Sequence, residues 1–371
     1  MIRAIVLGDK DNGKSTLIGN MLILTKSISR DRLKEAYRYS SKIAKRQEHA
    51  FILDSFEEER EEGFTLRSTE YKIHCNNEDI TLIDVPGHKE LIENMISGFN
   101  NVDLALLVIS AESDKIPEQA FNHLKIARIF GLKDIIFCIN KLDLFDKPER
   151  RFEYIKNLIQ DQLNDSSYNG LKAYFIPISA LKGYNLVKRY YDFGEGTVID
   201  KIIELKRSRK KDSIARFVVN SIEKNRLEGF LFSGKLSKKS KLYDPYNNED
   251  YAVYTDKSYS SFSYVKLRTD SIIKGNTKLL IDRRATISKK EEEKAEIFLI
   301  KRAARDLTLS LYYDRLEASI KGDIKIMDIS NLKISKSEAI PVELSESRES
   351  LSRFIILDKD NKIVGIGRFV R

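Results

Sequence analysis

Eight residues near the start limit the fold more than any other stretch: Gly8-Asp9-Lys10-Asp11-Asn12-Gly13-Lys14-Ser15 has the form GxxxxGK[ST]. The apolar run Ile2–Leu7 before it reads as a buried strand, and Lys14–Leu24 after it reads as a helix. Strand, glycine-rich turn and helix in that order make a phosphate cradle. The tight turn aims successive backbone N–H groups at phosphate oxygens, and the helix N-terminus adds partial positive charge. Asp11, Asn12, Gly13, Lys14, Ser15 and Thr16 are the expected contacts. Lys14 reaches the β- and γ-phosphates, and the Ser15 hydroxyl is a ligand for Mg2+.

Three further motifs follow, each after a strand-like run. Asp84-Val85-Pro86-Gly87 comes after Asp79–Ile83. A carboxylate at that strand end holds magnesium through a water, and the Gly87 N–H meets a γ-phosphate, a contact that disappears on hydrolysis. Asn140-Lys141-Leu142-Asp143 comes after Asp134–Ile139. Asp143 can accept two hydrogen bonds, from N1–H and the 2-amino group of guanine; adenine lacks both donors and would leave the carboxylate unpaired. The Lys141 stem can lie over the ring, and Asn140 can tie this segment to the phosphate loop. Ser179-Ala180-Leu181 comes after Ala173–Ile176, and its backbone N–H groups suit guanine O6. Four motifs in the order a nucleotide site needs predict bound GTP or GDP.

Apolar runs, with Val102–Ile109 among them, alternate with the helical stretches Ile116–Phe130 and Glu149–Asn164 up to about residue 205. This alternation predicts an α/β domain with a mostly parallel sheet and helices on both faces. The basic run Lys206–Lys211 reads as a solvated linker. Beyond it, short alternating segments (Ile214–Val219, Gly229–Leu236, Tyr251–Tyr254, Tyr264–Leu267) predict a small β-barrel domain. The charged stretch Ser288–Lys294 separates it from a second set of strands, which ends in a hairpin of Arg353–Leu357 and Lys362–Phe369 about the turn Asp358–Asn361. The expected bounds are 1–206 for the nucleotide domain, 212–284 for domain II and 292–371 for domain III.

The net charge of +9 admits a polyanionic partner or a lysine-rich proteome. No apolar run is long enough to cross a bilayer, and no signal peptide is expected at the N-terminus. Cys75 and Cys138 lack any CxxC spacing, read as small hydrophobes in strands and fit a reducing cytosol. Tyr243, Tyr246, Tyr251, Tyr254, Tyr259 and Tyr264 lie among lysines and could stack bases; as alternating barrel-strand aromatics they have an ordinary structural reading.

On these motifs the sequence resembles the translation-factor superclass of GTPases, which includes elongation factor Tu. Glu59–Leu66 resembles the first switch of that superclass, with Phe64 in place of the usual isoleucine. The resemblance implies a P-loop GTPase followed by two small β-barrels, Thr65 as a magnesium ligand in the GTP state, and His88 as the catalytic residue that orients the attacking water. Asp11 keeps an acidic position that binds a monovalent cation in relatives, whereas Lys10 and Asn12 depart from the usual loop residues. His49, His74 and His123 match no motif.

Ser15–Gly19, Leu24–Ile28, Ala50–Glu59, Tyr264–Leu267, Asp270–Gly275, Arg353–Asp358 and Val364–Gly367 are most similar to the GTPase subunit of sulfate adenylyltransferase. That branch implies an adenylyl-transferring protein partner. The alternatives are an elongation-factor-like carrier of aminoacyl-tRNA to the translation machinery, favoured by the basic balance, and a GTP-regulated scaffold. Both branches carry Pro-Trp-Tyr after the guanine loop, where this chain has Tyr190-Tyr191-Asp192-Phe193 and no tryptophan anywhere.

Overall fold

The computed structural model describes residues 2–9, 11–28, 69–85, 102–208, 213–303, 306–322, 325–339, 341–344 and 350–370. Two compact units divide the chain: 1–128 with 132–209, and 129–131 with 210–371.

The first unit is built on six strands: β1 (Ile2–Leu7), β2 (Thr69–Cys75), β3 (Glu78–Asp84), β4 (Leu104–Ser110), β5 (Asp134–Asn140) and β6 (Lys172–Pro177). Their order is β2-β3-β1-β4-β5-β6. Every pairing is parallel except β2 with β3. β4 and β5 are apolar on both faces, as strands covered on both sides must be. Ile2, Ala4 and Val6 share one core with Leu17 and Met21 of α1 (Lys14–Leu24) and with Ile199 and Ile202 of a later helix. The alternate residues Ile5, Leu7, Leu107 and Phe137 are buried on the other side. Two more helices, α2 (Glu118–Ile129) and α3 (Pro148–Leu163), complete the strand–helix alternation.

The later helix, α4 (Val198–Ser208), changes one expectation. The run Lys206–Lys211 is not linker throughout: Lys206 and Arg207 form the last turn of α4. Cations are stabilised there by the negative end of the helix dipole. Lys206 is also ion-paired with Glu78 of β3. β2 was not among the strands bounded from the sequence, though Cys75, its last residue, was read as lying in one. It pairs with β3 through the two-residue turn Asn76-Asn77, whose φ angles of 52° and 60° suit the turn that joins twisted strands.

The second unit holds two closed six-stranded barrels. The first runs β7 (Arg216–Glu223), β8 (Arg226–Ser233), β9 (Lys239–Asp244), β10 (Glu249–Tyr254), β11 (Ser263–Thr269) and β12 (Leu279–Ile281). Phe217, Leu231, Val253 and Val265 fill its interior. The expected strand Gly229–Leu236 stops at Ser233, because Gly234 takes φ +77° and a Cβ there would lie 2.5 Å from the Ala215 nitrogen. The second barrel runs β13 (Glu292–Leu299), β14 (Asp306–Leu311), β15 (Arg315–Lys321), β16 (Ile329–Lys336), β17 (Arg353–Leu357) and β18 (Ile363–Phe369). Its first strand begins at Glu292, inside the charged stretch that read as a separator. Alternation explains this: Glu292 and Lys294 face water, while Ala295 and Ile297 join the core. The β17–β18 hairpin forms at the expected turn.

The barrels join through polar as well as apolar contacts. Leu279 and Ile281 of the first pack into the core of the second. Arg216 and Glu343 form an ion pair at 2.6 Å with both side chains 1% exposed. Arg216 also donates to Ser233 at 2.8 Å, and Glu343 accepts the Leu351 N–H at 2.8 Å.

Candidate nucleotide site

The sheet brings the sequence motifs to one edge. β1, β3, β5 and β6 run parallel, and the phosphate loop, Asp84, Asn140-Lys141-Leu142-Asp143 and Ser179-Ala180-Leu181 all follow or end their C-terminal tips. Ligands of open α/β sheets bind at that edge, where strand order reverses about a central strand, here β1 between β3 and β4.

In the phosphate loop the chain is left-handed at Asp11 and at Gly13, with φ of 63° and 93°. A Cβ on Gly13 would lie 2.4 Å from Asn140 Nδ2, so only glycine fits. Gly13 precedes α1 and offers no side-chain cap, and no acidic residue occupies the first turn. The first-turn amides of α1, including those of Ser15 and Thr16, are therefore free of a competing carboxylate and suit an anion. Lys14 Nζ donates to the Gly8 carbonyl at 2.7 Å. Burial lowers the Lys14 pKa, and the charges of Asp84, Asp9 and Asp11 oppose that shift. The Asn12 side chain turns to β4: its Nδ2 donates to the Val108 carbonyl at 3.1 Å and anchors the loop there.

At the base end, Asn140 is 2% exposed and does what the sequence predicted. Its Nδ2 donates to the Asn12 carbonyl and its Oδ1 accepts the Ala180 N–H, both at 2.8 Å. One side chain thus ties the phosphate loop to the loop after β6. Asn20 of α1 adds a second tie, donating to the carbonyls of Ala180 at 2.7 Å and Leu181 at 3.2 Å. Lys141 is left-handed at φ 66°, and its ammonium is paired with Glu112, two residues past the end of β4. That pairing holds the Glu112 carboxyl below its usual range. Asp143 is half-buried in a short 3-10 turn and has no hydrogen-bond or ion-pair partner among the described residues.

Asn20 and Glu112 were not singled out in the sequence. Asn20 had a signal, a polar residue within Leu17-Ile18-Gly19-Asn20-Met21-Leu22. Glu112 had none: it meets Lys141 because β4 pairs with β5 and sets Ser110 beside Asn140. Thr65, Gly87, His88 and the first-switch segment Glu59–Leu66 lie outside the described residues. His74 is exposed and paired with Asp79, while His123 of α2 is 3% exposed.

Magnesium fits the donors present. Ser15 follows Lys14 in the first turn of α1, and Asp84 ends β3 opposite Val6 of β1, the strand that leads into the loop, so hydroxyl and carboxylate come from the same edge of the sheet. Among the described residues no group of three or more His, Cys, Asp or Glu forms a closed metal cage. An ion that takes one or two protein oxygens and completes its shell with phosphate and water suits that arrangement.

Comparison with known proteins agrees with this layout. Elongation factor 1-alpha of Pyrobaculum aerophilum is 38% identical over 192 residues, 50% of this chain and 43% of that protein. Elongation factor 1-alpha of Aeropyrum pernix is 36% identical over 194 residues, 50% of this chain and 44% of that protein. The chain spans less than half the length of the curated relatives it matches. Among solved structures, the Ski7 GTPase-like domain of S. cerevisiae, bound to GDP and inorganic phosphate, aligns with a TM-score of 0.58 at 17% identity over 100% of this chain and 97% of that one. The bacterial selenocysteine-specific elongation factor EF-Sec aligns at 0.50 and 18%, over 99% of this chain and 58% of that one. These two show a shared fold. Residues 1–224 match the elongation factor Tu GTP binding domain, and with more than half its length inside that match the chain belongs to this family.

Proposed function

We propose that the chain is a magnesium-dependent GTP-hydrolysing switch of the translation-factor type. The observation that carries this reading is the Asn140 tie: one buried amide fastens an uncapped helix N-terminus to a loop whose Asp143 carboxylate has no partner among the described residues. In the proposal, amides of Gly13, Lys14, Ser15 and Thr16 hold the α- and β-phosphates, and Lys14 leaves the Gly8 carbonyl for the β- and γ-phosphates. Asp143 reads N1–H and the 2-amino group, Ala180 and Leu181 face O6, and Lys141, steadied by Glu112, lays its stem along the ring. Ser15, Thr65 and Asp84 would hold the metal, which when bound neutralises charge developing between the β- and γ-phosphates. Asp11 is the proposed neighbour of a monovalent cation.

Catalysis needs a positioned water more than a strong base. His88 is assigned that task and Gly87 the γ-phosphate contact. His88→Ala should slow single-turnover GTP hydrolysis on the order of 100-fold. GTP affinity should stay within about threefold, because an interaction made only in the transition state leaves binding intact. A collapse of binding with unchanged turnover would reassign His88 to structure.

For the partner, the finer proposal is an elongation-factor-like one, with a role in the cytoplasm at the ribosome. The two relatives named above are elongation factors, which favours this branch over the sulfate adenylyltransferase one. A groove of about 720 Å3 on the first barrel is lined by Tyr254, Tyr259, Tyr264, Arg226, Lys266 and Arg268 together with Glu223, Glu228 and Asp256, so its aromatic rings rather than its charge favour an RNA ligand. Arg226 and Arg268 are directly opposed across β8 and β11, and Glu223 of β7 lies opposite Arg226 on its other side. The tyrosine hydroxyls are already bound, Tyr254 to Asp270 and Tyr264 to Glu228, so only ring faces remain for a base. Binding of charged tRNA that weakens steeply with salt is the expected result, and salt-independent or absent binding would exclude it. The domain bounds 1–206, 212–284 and 292–371 are proposed with this reading.

A further inference from the structure

The loop that faces the base is closed from behind by a device no motif contains. Ser179 and Tyr184 exchange backbone hydrogen bonds, 3.3 Å and 3.1 Å, and make residues 179–184 a tight hairpin. Lys182 N donates to Ser179 Oγ at 3.1 Å inside it. At the foot of the hairpin, the Tyr184 ring lies flat on the Tyr190 ring, with centroids 3.5 Å apart and planes 5° from parallel. Tyr191 stands edge-on to both, at 5.7 Å and 5.3 Å. The backbone of this pair is fixed by Asn185, which is fully buried; its Oδ1 accepts the N–H of Tyr190 at 2.6 Å and of Tyr191 at 2.9 Å. The cluster is close enough to the base end for the Asp143 charge to raise the pKa of Tyr184 and Tyr191, after larger effects from Tyr190 on the one and burial on the other.

Tyr190 is 62% exposed, so its ring adds little to the core. What it touches is the foot of the hairpin. A flat sandwich of rings gains less than an offset pair, which makes the contact weak enough to open. For a nucleotide held between two tied loops, release requires one of them to move away from the base. We propose that Tyr190 is a clasp, a positioning residue that holds hairpin 179–184 against the purine through Tyr184 and so sets how long the nucleotide stays bound. The inference rests on the guanine-nucleotide reading above.

The test uses the full chain loaded with a fluorescent (mant) GDP and chased with excess GDP. Tyr190→Ala should release it about two- to tenfold faster, the span that loss of one aromatic pair allows. The association rate and the melting temperature of the nucleotide-free protein should hardly change. Tyr190→Phe keeps the ring and should restore slow release to within about twofold of the original. Unchanged release from Tyr190→Ala would overturn the clasp, as would a melting-temperature loss that Tyr190→Phe repairs with no difference in release. Absence of any binding by the unsubstituted chain would overturn the nucleotide reading and the clasp together.

Discussion

Replacing Asn140 by alanine tests whether the two loops form one site. The side chain is 2% exposed and makes two bonds of 2.8 Å, one to the Asn12 carbonyl and one from the Ala180 N–H. Alanine removes both partners, so two buried backbone groups lose their bonds. Each such group costs about 1–3 kcal/mol, giving roughly 2–6 kcal/mol for the pair. Nucleotide binding needs both loops in place, so part of this cost appears as lost affinity. Even the lower bound, if expressed there, is on the order of 30-fold. A titration with mant-GDP reads the affinity, and urea unfolding followed by circular dichroism reads the remainder. Asn140→Asp separates the two bonds: it keeps the acceptor for Ala180 but sets a carboxylate against the Asn12 carbonyl, and should bind worse than the original chain. If Asn140→Ala bound mant-GDP within about twofold and unfolded at the same urea concentration, the tie would not be what assembles the site.

Two further expectations concern stability. Glu343→Leu strands the Arg216 guanidinium in the interior between the barrels and should cost about 3–5 kcal/mol, while Arg216→Met combined with Glu343→Leu should recover most of it; equal losses in urea unfolding of both variants would refute the pairing argument. Burial lowers the His123 pKa from 6.5 to about 4, with the Lys14 charge adding to the effect. The unfolded chain takes up this proton near pH 6.5 and the folded chain only near 4, so the stabilising contribution is complete above 6.5 and is lost as pH falls through that window. The loss amounts to about 3 kcal/mol. His123→Leu should flatten that part of the stability profile between pH 6.5 and 4, and an unchanged slope would place the proton elsewhere.

Much of the nucleotide unit was legible because its signals are local. β1 and α1 fall where the apolar run and the phosphate loop put them, and β5 ends at the Asn140 its motif begins with. α4 carried a readable pattern in Val198, Ile199, Ile202, Ile203 and Leu205, one helical face, which the neighbouring charges disguised. β2 is as long as β3, β4 and β5, but Tyr71 and Ile73 are its only buried apolar positions, so the alternation gave little signal. The two barrels were expected and are present, but relations set by distant pairing could not be read: Glu112 against Lys141 across β4 and β5, and Arg216 against Glu343 between barrels. Those depend on which strands become neighbours, and strand choice is a property of the whole chain.

Base selection by Asp143 is the point on which the account turns, and calorimetric titration of GTP, XTP and ATP against the chain and its Asp143→Asn variant measures it directly. The original chain should bind GTP and reject ATP. The variant should lose GTP affinity on the order of 100-fold, since two hydrogen bonds to a charged acceptor are weakened, and should gain XTP, whose 2-oxo group accepts from the new amide. Equal binding of ATP and GTP by the original chain, or an unaltered preference in the variant, would contradict the site described for this crevice.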